Sequence, residues 1–153
     1  MKTTQRRALA LIAVAGLTVG AAPIASTAAA EDPVRARHET MEGVKDAMMG
    51  VAAMAKKEKP FDAAVVAKSA GRMADGLEAA AKLFPEGSEE GEIPSRAKAE
   101  VWSQRAGFDE AMKNAHAAAL ALGAVKDEAA LMPALGTVGG ACKACHETYR
   151  TAE

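Results

Sequence analysis

Two thiols and an imidazole stand within five residues of one another near the end of the chain, in Cys142-Lys143-Ala144-Cys145-His146, and these are the only two cysteines in the protein. Such a set can serve as a disulfide, half of a zinc site, a redox dithiol or a haem attachment point. On a helix, residues three and four apart share a face, so Cys142, Cys145 and His146 project together. A haem offers two vinyl groups that accept thiols as thioethers, and an iron between them that accepts an imidazole nitrogen. Cys-X-X-Cys-His meets all three needs and is the attachment signature of c-type haem. The alternatives are weaker. Structural zinc needs four ligands, and the rest would have to come from His38, His116 or distant carboxylates. A thioredoxin-type dithiol opens a helix after a strand, and no strand pattern is present. A disulfide across three residues closes a tiny loop and constrains little of the unfolded chain.

Positioning these groups falls to four stretches with a helical apolar period. The first, over 33–56, opens on Asp32-Pro33 as cap and first-turn proline and sets Val34, Met41, Val44, Met48, Val51 and Ala55 on one stripe. Lys56-Lys57-Glu58-Lys59-Pro60 stops it. The second starts from an N-cap at Asp62 and carries Val66, Met73, Leu77, Ala80 and Phe84 up to Pro85. Residues 85–96, PEGSEEGEIPSR, form a polar connection long enough to cross one end of a bundle. The third helix is expected over 97–122, ending near Gly123. The fourth follows Asp127 and places Leu131, Leu135, Val138, Cys142, Cys145 and Tyr149 on one face, with Pro133 in its first turns. The expected fold is all-α, an antiparallel four-helix bundle with one covalently bound haem. Gly136, Gly139 and Gly140 cost helix propensity just before the cysteines, which suggests a flat, bulky group approaching the backbone there.

Residues 1–30 read as an export signal that is removed. Lys2, Arg6 and Arg7 form a basic start, Ala8 to Val19 is an apolar run, and Ala28-Ala29-Ala30 supplies small residues for cleavage. The run is shorter than the roughly 20 residues a membrane-spanning helix needs, so no span is expected once it is removed. Without its three basic residues, 16 Lys and Arg face 20 Asp and Glu, a net charge of −4. That mild acidity argues against nucleic acid as a partner. Residues 31–153 suit a single domain. Alanine is abundant, methionine occurs eight times and aromatic residues are few, so the core is built from small side chains that leave room for something large.

Three stretches carry a resemblance to a known family: GGACKACHETYR at the C-terminal end, VRARHETM followed by a methionine-rich helix and KKEKPFD, and EVWSQRAGFDEAM in the third helix. The mature chain as a whole resembles the class II c-type cytochromes, cytochrome c' and its low-spin relatives, whose attachment site lies near the C-terminus. The resemblance implies a periplasmic four-helix bundle holding one haem c and its iron, often as a homodimer. Cys142 and Cys145 match the thioether cysteines, and His146 matches the axial iron ligand. Arg150, one turn later, matches a basic residue flanking that ligand, whose charge raises the reduction potential by disfavouring ferric iron; a solvated charge at the helix end is the alternative.

The sixth coordination position separates two functions. Met41 falls on the position that faces the iron, where low-spin members of the family have a methionine ligand and high-spin members have an apolar shield. The expected reading is Met41 as sixth ligand and one-electron transfer to periplasmic redox partner proteins, without bond-making chemistry. The alternative is a five-coordinate iron that binds small gases such as nitric oxide or carbon monoxide. His38 as ligand is a third option, with an exposed, solvated histidine the simpler account of it. Arg37, four residues before Met41, is expected to pair with a haem propionate or to stand as a solvated charge. His116 is expected to be a partly buried structural histidine, and Trp102 and Phe108 to fill the bundle, with contact to the haem as the alternative.

Overall fold

Aspartates set where three of the long helices begin. In the computed structural model, which describes residues 32–152, Asp32 Oδ1 accepts from the Val34 amide at 3.0 Å and opens α1, Pro33–Ala55. Asp62 Oδ1 accepts from Ala64 and Val65 at 2.8 and 3.1 Å and opens α2, Ala63–Ala81. These bonds satisfy amides that the first turn of a helix leaves without partners. Lys57, in the left-handed region at φ 63°, turns the chain out of α1 before Pro60. The export signal expected over residues 1–30 lies outside the described residues.

The third stretch departs from expectation. Instead of one helix over 97–122, a single turn, α3 (Glu100–Ser103), is followed by α4, Arg105–Gly123, with the break at Gln104 (φ −120°, ψ 43°). The late start has its cause upstream. The Lys98 amide donates to the Tyr149 carbonyl and the Thr151 amide to the Arg96 carbonyl, each at 2.9 Å. These bonds form an isolated antiparallel bridge between Ala97 and Arg150, and backbone committed to that bridge cannot enter a helix. The second helix ends at Ala81 rather than at Phe84, but Phe84 stays buried as the anchor of the following segment. Asp127 caps α5, Glu128–Tyr149, which runs through Pro133 and all three glycines.

Three seams of the bundle are close. A Cβ added at Gly76 would lie 2.6 Å from Val44 Cγ2, at Gly123 3.3 Å from Ala70 Cβ, and at Gly107 2.6 Å from Tyr149 Oη. Glycine therefore marks the approach of α1 to α2, α2 to α4 and α4 to α5, while α1 and α5 touch only sparingly. Val51, Val66, Met73, Ala80, Leu122 and Leu131 form the centre of the core. At one end, Trp102, Phe84, Phe108 and Tyr149 meet edge to face at successive centroid distances of 6.2, 4.8 and 5.4 Å. Phe108 is buried and Trp102 packs against the core beside it. The described residues form an all-α bundle of four long helices without strands, and none of their helices is long and apolar enough to cross a membrane.

Candidate functional site

The last turns of α5 carry the thiols and the imidazole. Leu131, Val138, Cys145 and Tyr149 are buried, Cys142 is half-buried, and His146 is exposed. Each residue advances about 100° around a helix, so Cys142, His146 and Gly139 share one flank beside that buried stripe. Burial pushes both thiols up from their usual range, and at Cys145 the neighbouring Cys142 adds to it. They stand as neutral thiols, whereas a redox dithiol needs a depressed nucleophile. The imidazole of His146 is pulled down, first by the desolvating bulk of the bundle and then by the charges of Arg150 and Arg96. It is thus neutral at pH 7, the form that binds a metal.

Across the sparse seam lies α1. Thr40 and Val44 face Gly76 of α2, and Met41, about 100° further round, lies on the flank turned away from that contact. Met41, Met48 and Ala55, seven residues apart, are half-buried against the edge of the core. The carboxylate of Glu42, held down chiefly by its bond from Lys45, also feels the Arg150 charge. A Cβ added at Gly136, Gly139 or Gly140 would meet nothing within 4 Å. Gly139 is the one on the flank of Cys142 and His146, whereas Gly136 and Gly140 turn outward to solvent. Two adjacent neutral thiols, a neutral imidazole and open space along a loosely joined seam fit a haem held by α5 and covered by α1.

Arg37 is not a solvated charge. It is only 6% exposed, and its guanidinium lies over the rings of Phe84 and Trp102 at 4.8 and 5.8 Å. Nη1 donates to the Leu83 carbonyl at 3.1 Å and Ser88 Oγ at 3.2 Å; Nη2 donates to the Ser88 carbonyl at 2.6 Å and Ser95 Oγ at 3.1 Å. Ser88 and Ser95 were not expected to matter, because nothing local distinguishes them from other serines in a polar connection. Arg150, half-buried at the end of α5, donates its backbone amide to the His146 carbonyl at 3.0 Å. His38 is exposed, and His116 is half-buried on α4.

Residues 32–150 match the family model described as Cytochrome C'. A cytochrome c' of Rhodopseudomonas palustris is 37% identical over 143 residues, covering 93% of this chain and 96% of that protein. Among solved structures, cytochrome c' from Rhodopseudomonas palustris gives a TM-score of 0.75 at 36% identity, covering 80% of this chain and 98% of that one. A nitric oxide complex of a point mutant of cytochrome c prime from Alcaligenes xylosoxidans gives 0.71 at 25% identity, covering 80% and 96%.

Proposed function

This chain belongs to the cytochrome c' family, and on that premise we propose that it is a periplasmic electron carrier whose single haem iron is held by His146 and Met41. Its cofactor is haem c with iron. We assign the thioether bonds to Cys142 and Cys145. Bound there, the haem supplies an iron that exchanges one electron without large rearrangement when both axial positions are filled. The chain's own contribution is to hold His146 neutral, to set Arg150 one turn beyond it, and to keep water from the seam with Met41 and Met48. What supports the reading is that Met41, with Met48, is half-buried at the edge of the core on the flank of α1 beside its contact with Gly76.

Export rests on the basic start and apolar run of residues 1–30. The partners are accordingly redox proteins of the periplasm, and a second copy of the chain. The competing reading, a five-coordinate iron that binds a small gas, is favoured by the nitric oxide complex of a point mutant of the Alcaligenes relative.

Replacing Met41 with Ala discriminates the two. With Met41 as ligand, the parent protein is low-spin, shows a methionine-to-iron charge-transfer band and ignores carbon monoxide, and Met41→Ala converts it to a high-spin form that takes up the gas. A parent that is already high-spin and shifts with carbon monoxide establishes the gas-binding reading instead.

A further inference from the structure

We infer that Arg37 is a positioning residue that sets how closely α1 approaches the His146 turn, and so whether the side chain at Met41 reaches the iron. The inference rests on His146 and Met41 as the residues that face the iron. It starts from the sparse contact between α1 and α5. Because these two helices hardly touch, something else must fix their separation at the level of the site.

The connection between α2 and α3 spans that gap as a strap. Between Leu83 and Ser95 it is fastened to α1 by Arg37, through the Leu83 and Ser88 carbonyls and the Ser88 and Ser95 hydroxyls. Asp32 fastens it again, where Oδ2 accepts from the Glu92 amide at 2.9 Å. Its last residues are fastened to the end of α5 by the Lys98–Tyr149 and Arg96–Thr151 backbone bonds. The Lys98 ammonium adds a bond to the Glu147 carbonyl at 2.9 Å, and the Arg96 guanidinium one to the Thr151 carbonyl at 3.0 Å. Arg37 therefore sits one helical turn from Met41 at one anchor, and the other anchor holds the turn that carries His146.

The chemistry at Arg37 suits a strap. A planar guanidinium with donors in a fixed fork can hold several acceptors in one geometry, and Ser88 Oγ passes the restraint on to the Pro85 carbonyl at 2.8 Å. The Phe84 and Trp102 rings, in edge contact with each other, both pack against the guanidinium, and burial there strengthens each bond. Trp102 ties itself to the same segment through Nε1 and the Pro85 carbonyl at 2.9 Å.

The test compares haem-loaded Arg37→Gln, the double variant Ser88→Ala/Ser95→Ala, and Leu122→Ala with the parent. Leu122 is fully buried in α4, so its truncation weakens the bundle without touching the strap. For each protein the charge-transfer band, the rate of carbon monoxide uptake and the thermal midpoint are measured. The expected result is that Arg37→Gln and the serine variant lose the band and take up carbon monoxide roughly tenfold faster, equivalent to about 1.4 kcal/mol of coupling. Leu122→Ala should lower the midpoint and leave band and uptake unchanged. If Arg37→Gln does not mature, the serine variant decides. Parent-like spectra and uptake in both strap variants overturn the inference. So does an effect of Leu122→Ala of the same size, which would mean general loosening, and so does an effect of Arg37→Gln that the serine variant does not share. A parent without the band refutes methionine ligation, not the strap, because the uptake rates still report the separation of α1 and α5.

Discussion

Two charged side chains, Asp32 and Arg150, show how much of the site is set by single groups. Burial pulls the Asp32 carboxyl upward, but the amides of Glu92, Val34 and Arg35 and the Arg35 charge outweigh it and leave it below the usual range. A carboxyl with a lowered folded value binds fewer protons folded than unfolded. Its stabilisation is present above its ordinary value near 3.8 and is lost as pH falls through the folded one. Asp32→Ala is expected to lower the thermal midpoint at pH 7 by a few degrees, as a lost helix cap does. It should also flatten the fall in midpoint below about pH 4, and an unchanged acid limb would contradict the assignment. Arg150 stands one turn beyond His146 and disfavours positive charge there. Arg150→Gln should therefore lower the midpoint potential by tens of millivolts, the size of a charge interaction of about 1 kcal/mol; a redox titration that shows a rise would reverse the argument. The thiols and His146 were legible because a five-residue motif holds its chemistry locally. Arg37 was not, since its acceptors lie 46 to 58 residues away.

Helices repeat this division between local and distant causes. The starts at Asp32, Asp62 and Asp127 were legible because a cap acts within three residues. The late start at Glu100 was not, because a bridge to Arg150 and Thr151 imposes it. Apolar period alone also could not say which stripe residues are fully buried. Val34, Val44 and Val51 are, joined by Ala47 and Met54 from outside the expected stripe, while Met41, Met48 and Ala55 stop half-buried at the edge of the core. The seams can be tested one glycine at a time. Gly76→Ala drives a methyl group against Val44 and is expected to cost about 1–3 kcal/mol by overpacking, in spite of alanine's better helix propensity. Gly140→Ala meets open space on the exposed side of α5 and should gain up to about 1 kcal/mol. Denaturant midpoints of the haem-loaded proteins check both, and the close-seam account fails if Gly76→Ala is neutral.

At the scale of the whole molecule, the bundle closes three seams with its own side chains and joins the fourth mainly by a strap at one end. Its aromatic residues cannot make up the difference, since four of them are already stacked on one another near the strap. The abundance of small residues announced room for a large group, but the place of that room depends on which helices are neighbours, and no periodicity encodes that. The haem is expected to supply the missing apolar contact along α1 and α5, where each Å² withdrawn from water contributes about 25 cal/mol. A chain made without haem keeps its capped helices but lacks a partner for Met41, Met48, Leu135 and Cys142, all half-buried beside the core. Helical far-ultraviolet dichroism should therefore survive in the haem-free chain while near-ultraviolet dichroism weakens and the thermal transition broadens, as in a compact state without fixed packing. Strong near-ultraviolet signals and a sharp transition from such a preparation would show that the fourth seam closes on its own, and the haem would then be a passenger in the bundle rather than part of its core.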